Sequence, residues 1–195
     1  MSIEFKNRLK KISFSQINLK EFLKFYKEIC LYKYTYVLDN QEEIILFFEE
    51  NNFSHLLGLH KFKKIKSYKY SNDINKDIEN DKIVFQLLTE KEPLVLNKEL
   101  KDRLTYFPTL KTLLENVDTA LKYDINIIWN SKIEFSFLLK TDKISILVYL
   151  AVKEIKNNKK ICVPVSLLVD RNDRFTKLNL KKLNITQRTI EPRNQ

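Results

Sequence analysis

The chain has 195 residues, which suits one domain, or one domain with a helical elaboration. It is 44% hydrophobic and 12% aromatic, enough for a real core, and it carries a formal net charge of +10. That charge favours a polyanionic partner, nucleic acid or an anionic membrane surface, although a coding bias toward Lys, Asn and Ile accounts for it equally well. A single glycine excludes the Gly-rich phosphate loops of nucleotide-binding folds.

The opening "MSIEFKNRLKK" has no apolar segment of signal-peptide type. A helix is predicted near residues 19–30, capped by Asn18 with Glu21 three positions on. Ile17 and Phe22 suit a hydrophobic staple across that cap, and Phe22, Phe25, Tyr26, Ile29 and Cys30 share one face. Tyr32, Tyr34, Tyr36 and Leu38 then alternate with polar residues. After the turn signal "DNQE", Ile44, Leu46 and Phe48 line one face of a second run. The two runs read as a β-hairpin.

The middle reads as mostly helical. The first, polar half of "KYSNDINKDIENDKIVFQLLTEK" suits a helix or an ordered loop, and the run turns apolar from Ile83 to Leu88. Leu100, Leu104 and Phe107 share a face, and Pro108 ends that helix or opens a second one. Leu110, Leu113, Leu114 and Val117 continue the buried stripe.

The C-terminal third changes to period two. Four runs carry it: Leu121 to Ile127, Ile133 to Leu139, Ile144 to Val152 and Ile161 to Val169, the first two joined near Asn130 and Ser131. Together they predict an antiparallel meander. Pro164 requires an edge strand or a bulge. Residues 170–195 are polar and basic and read as a tail that is partly ordered at best. The fold class is therefore α+β: an N-terminal helix and β-hairpin, a helical middle, and a four-stranded antiparallel β-meander. Residues 1–169 form a single domain. The longest apolar run, Ile144 to Val152, is too short for a membrane-spanning helix, so the expectation is a soluble, cytoplasmic protein without membrane contact.

Chemistry is sparse. Cys30 and Cys162 match no metal spacing and suit packing roles in a reducing compartment. Asp73, Asp77 and Asp81 recur every four residues; a magnesium site is conceivable there, but among Asn and Lys a solvated face is the simpler reading. No metal and no cofactor are expected.

The stretch "NFSHLLGLHK" stands apart, because it holds both histidines, His55 and His60, and the only glycine, Gly58. On an unbroken helix the two imidazoles would lie about 140° apart. A glycine with positive φ would end the helix and free His60 and Lys61. Lys61, Lys63, Lys64, Lys66 and Lys69 follow, interleaved with Phe62, Tyr68 and Tyr70. Cations alternating with aromatic rings suit phosphate contact and base stacking. A packed helix end with a basic solvent face is the plainer alternative. Were the site catalytic, its parts would suit metal-free RNA cleavage, in which imidazole moves protons and Lys or Arg steadies the phosphate.

"NFSHLLGLHK" after a hairpin strand, a helical middle, a meander and "VPVSLL" on the last strand together resemble the phage-associated branch of the barnase–EndoU–colicin–RelE-like (BECR-like) nucleases. That family pairs an F-x-H-L-x-G-type motif with a late strand carrying P-x-S. The resemblance spans roughly residues 30 to 170. It implies helices packed on an antiparallel sheet, metal-independent ribonuclease activity, and a toxin or effector role in phages and mobile elements. His55, Gly58 and Lys61 fall in the first motif, with His60 inside it, and Pro164 and Ser166 in the second. Beyond Val169 there is no firm match; the tyrosine or glutamine that the family carries near its end has only Gln187 as a guessed counterpart.

The resulting expectation is an endoribonuclease of toxin or phage-defence type, cleaving RNA by 2′-OH attack. His55 and His60 are the acid/base candidates, Lys61 and Arg174 phosphate contacts, and Ser166 a phosphate or substrate orienter. Lys63, Lys64, Lys66, Lys69, Tyr68 and Arg171 would bind RNA, and an antitoxin or immunity protein is the expected protein partner. For Ser166 an ordinary strand hydroxyl is the alternative, and for Arg171 and Arg174 a salt-linked turn with Asp170 and Asp173. The competing functions are a non-catalytic nucleic-acid-binding module (a degenerate nuclease in a phage or antiphage complex) and a protein-interaction factor whose basic face meets an acidic partner.

Overall fold

The computed structural model describes residues 8–123, 134–144, 146–155, 158–172, 175–178 and 180–193. The predicted positions Ile125, Ile127 and Ile133, the turn at Asn130 and Ser131, and Arg174 lie outside them.

The first helix, α1 (Leu19–Cys30), starts where its cap predicts: the Asn18 side-chain oxygen accepts from the backbone N–H groups of Lys20 and Glu21. The apolar face buries Phe22, Leu23, Phe25, Tyr26 and Ile29. Strands β1 (Tyr32–Leu38) and β2 (Glu43–Phe47) form the antiparallel hairpin. Gln41 takes the positive φ, 68°, that the turn demands. A run of short helices follows: α2 (Phe53–Leu57), α3 (Lys63–Lys66), α4 (Ser71–Glu79), α5 (Phe85–Lys91), α6 (Lys98–Tyr106) and α7 (Leu110–Asn116). Pro108 sits in a 3₁₀ turn, Phe107–Thr109, that joins α6 to α7.

The architecture is α+β, but the sheet corrects the expectation of a separate four-stranded meander. Strands β3 (Thr119–Lys122), β4 (Phe137–Lys140), β5 (Leu147–Ile155) and β6 (Asn158–Asp170) do pair consecutively and antiparallel. They are one arc of a closed barrel with strand order β1-β2-β6-β5-β4-β3-β7. Two junctions close the ring. Strand β7 (Lys181–Pro192) pairs antiparallel with both β1 and β3, so the supposed tail is a structural strand. On the other side β2 meets β6 in a parallel ladder at Ile45–Ile161 and Leu46–Cys162. The register slips beside Pro164, leaving Val165 as the extra residue of a bulge.

Alternation sorts the sheet's side chains into two clusters. Phe137, Leu139, Val148, Leu150, Val152 and Leu167 join the helices in the main core. Leu138, Tyr149 and Ala151 point the other way, into a second cluster with Phe135, Phe175 and Leu180. Phe107 anchors the helical side, with ring centroids 5.1 Å from Phe22, 5.7 Å from Phe25 and 6.1 Å from Phe53. The Tyr36 hydroxyl donates to the Leu114 carbonyl at 2.8 Å, fixing the end of α7 to β1. No helix among the described residues is long and apolar enough to cross a membrane.

Candidate active site

Helix α2 follows the second hairpin strand after one 3₁₀ turn, Glu50–Asn52. It is one and a half turns long, too short to hold itself in water. Its burial holds it: Phe53, Leu56, Leu57 and Leu59 are all at most 1% exposed. Each such side chain contributes roughly 1.5–3 kcal/mol. The helix ends at Gly58, which adopts φ 78° and ψ 17°. The Gly58 N–H donates back to the carbonyls of Ser54 and His55, closing a left-handed cap. Leu59–Lys61 form a 3₁₀ turn in the new direction.

The break brings the two imidazoles together. His55 and His60 stack with centroids 4.4 Å apart and planes 22° apart. His55 is exposed and His60 half-buried. Among the described residues, Nδ1 of His60 is buried without a hydrogen-bond partner.

Beneath Gly58 lies a residue that the sequence reading passed over. Arg103 of α6 is buried, and its guanidinium nitrogen Nη1 stands 3.0 Å from where a Cβ on residue 58 would be. Its position could have flagged it: Arg103 is three residues from Leu100 and four from Phe107, on the stripe that buries the helix. A charge on that stripe is unusual.

The cations shape the electrostatics. Partial desolvation by its neighbours lowers the pKa of His55, and Arg103 adds to the effect. His60 is pushed down to about 4, by burial first and then by His55, Arg103, Lys61 and Lys66. Lys61 is also lowered, by burial and then Arg103, with Glu99 opposing. Two neutral imidazoles at neutral pH are therefore available as proton acceptors. The thiols of Cys30 and Cys162 are raised by burial to about 12, which leaves them poor nucleophiles.

The depressed His60 has a consequence for stability. An unfolded chain titrates this imidazole near 6.5, so between about 6.5 and 4 the unfolded state binds more protons. The contribution is complete above that window and lost as pH falls through it. In urea unfolding, wild type is expected to lose more stability from pH 7 to pH 5 than His60→Gln; equal losses would contradict the shift.

Gly58→Ala tests the bend. A side chain at this φ is strained, and its Cβ would stand 2.9 Å from Cδ1 of Leu100. The expected cost is about 1–3 kcal/mol, read from the denaturant midpoint. An unchanged midpoint would remove the geometric requirement for glycine.

The other candidates are dispersed. Ser166 pairs with Ala151, which belongs to the second cluster, so it faces away from Leu167 and the helices. Its hydroxyl is buried and, among the described residues, unpartnered. The bulge at Val165 sets this facing. Pro164 pairs with Val152 of the main core. Arg171, expected to bind RNA, has its guanidinium engaged in a bidentate ion pair with Asp102, at 2.7 and 2.6 Å. Asp170 accepts from the backbone of Asn172 and Phe175.

Lys63 and Lys66 are exposed on α3. Lys64 donates to the Lys82 carbonyl, Lys69 lies over the Tyr70 ring, and the Tyr68 hydroxyl donates to Asp77. Asp73, Asp77 and Asp81 do not form one stripe, because α4 ends at Glu79 and Asp81 pairs with Lys20. Gln187 is exposed on β7, opposite Val37.

A family model described as phage-Barnase-EndoU-ColicinE5/D-RelE like nuclease4 (PBECR4) matches residues 18–192. No curated protein and no solved structure matches the chain.

Proposed function

We propose, for a chain that belongs to the phage-Barnase-EndoU-ColicinE5/D-RelE like nuclease family 4, that it is a metal-independent endoribonuclease with the stacked His55–His60 pair at its centre. The observation that carries this reading is that pair, held neutral beside Lys61 and Arg103.

In RNA transesterification the 2′-hydroxyl loses its proton and its oxygen bonds to phosphorus. The bond from phosphorus to the 5′-oxygen breaks, and that oxygen takes a proton. Attack and departure lie on opposite sides of phosphorus. Rings stacked at 4.4 Å cannot stand at both poles, so they serve one together. His55, the more exposed, takes the 2′ proton, while His60 packs behind it and fixes its plane. The proton for the 5′-oxygen comes from Lys61, whose lowered pKa makes its ammonium a better acid. Lys63 and Lys66 extend the cationic surface along the strand, as exposed lysines suit backbone contact. A toxin or phage-defence setting, with an acidic antitoxin or immunity partner, fits such a cationic surface.

The test is cleavage of RNA in excess EDTA, leaving 2′,3′-cyclic phosphate ends, and its loss in His55→Ala. RNA retained on the protein with steep salt dependence but never cut would favour the binding-module reading instead.

A further inference from the structure

The geometry points to Arg103 as a built oxyanion receptor that takes the phosphodiester of the substrate beside the two imidazoles. The inference deepens the nuclease reading and rests on the same site. Arg103 is only 8% exposed. Its Nε is fully buried without a hydrogen-bond partner among the described residues, and the guanidinium enters none of their ion pairs. Glu99, one turn earlier on α6, acts on it electrostatically without forming a salt bridge.

Burying an unpaired charge costs several kcal/mol. A fold tolerates that cost where the charge meets a partner it does not itself carry. Every ionisable group facing Arg103 on the α2 side is cationic or neutral: His55, His60 and Lys61. The missing partner is therefore an anion. The planar guanidinium fork suits two oxygens of one phosphate. Gly58 lets the guanidinium lie directly against the bend between the two imidazoles, since any Cβ there would press on Nη1. A phosphate seated on Arg103 also offsets the positive field on both imidazoles, so the arriving substrate strengthens the base that attacks it.

A purely structural role is the competing account, with the guanidinium facing the C-terminal carbonyls of α2. The two accounts predict opposite stabilities. Arg103→Met keeps the stem and removes the charge, so an anion receptor gains or keeps stability while a structural arginine loses it.

The measurement is a titration of the full chain with inorganic phosphate, followed by NMR of the imidazole ring signals. The chain has two histidines, so there are two sets of ring signals to follow. Wild type is expected to show saturable shifts of both rings. Arg103→Met should need at least about tenfold more phosphate, which is the loss of about 1.4 kcal/mol of binding, and should melt no lower than wild type. Arg103→Lys should keep a weakened response. A wild type without a saturable shift, or Arg103→Met with the wild-type response, overturns the proposal, as does a marked fall in its melting temperature. The phosphate titration contains no RNA and cleavage is assayed separately, so the two readings fail separately. Phosphate bound through Arg103 by a protein that never cuts RNA overturns the nuclease reading and supports the anion site. RNA cut normally by Arg103→Met does the reverse.

Discussion

His55→Ala is expected to lower the single-turnover rate of RNA cleavage by about 10²–10⁴-fold, the usual range for losing a positioned proton acceptor. His60→Ala should cost less, because His60 acts through the ring it stacks on. The double variant should fall no further than His55→Ala alone, since residues that act as one unit are not additive. The fold should survive His55→Ala, because His55 is exposed and its side chain makes no contribution to the main core. A double variant with full activity would end the histidine reading, whatever else the protein cuts with.

Deleting residues 180–195 is expected to abolish the cooperative unfolding transition. The strand removed is the one that joins β1 to β3. Its loss leaves β1 and β3 as open edges with unpaired backbone groups, the usual template for aggregation. It also removes the Arg193 contacts to the Phe48 carbonyl and Glu49, and the Asn184 contacts to Asp39. Leu183→Ala is the graded form of the same experiment. Leu183 is 3% exposed in the main core, and its truncation should cost about 2–5 kcal/mol. Ile190→Ala, on the same strand but 38% exposed, should cost far less. A truncated chain that unfolds cooperatively at the wild-type midpoint would show that closure is dispensable.

Much of this architecture is legible in the residues, and what is not has a physical reason. Asn18 and the 3.6-residue spacing from Phe22 to Ile29 mark α1 because the cap and the buried face are both local. The hairpin and the β3 to β6 arc are legible because each strand pairs with its neighbour in sequence order. Strand β7 hides because Leu183 is its one fully buried side chain and most of its other residues face solvent, so it reads as a polar tail. The parallel seam between β2 and β6 has no local signal at all, since it joins residues more than a hundred positions apart. In the site, the glycine between the histidines gave the bend. Arg103 escaped because a charge in "KELKDRLTY" reads as solvent-facing, although its spacing from Leu100 and Phe107 places it on the buried stripe. Ser166 lay on a strand whose facing depends on a bulge that sequence alone does not phase.

The pairing of β1 with β7 also sets an order of events in time. A ribosome delivers β1 early and β7 after every other strand of the ring. Until β7 emerges, β1 and β3 have nothing to bridge them, and the loop to be closed spans most of the chain. Such long-range closure is entropically slow. A barrel built this way completes its scaffold only once its last strand has been synthesised, which gives any binding partner made alongside it an interval in which to meet the chain before the barrel shuts.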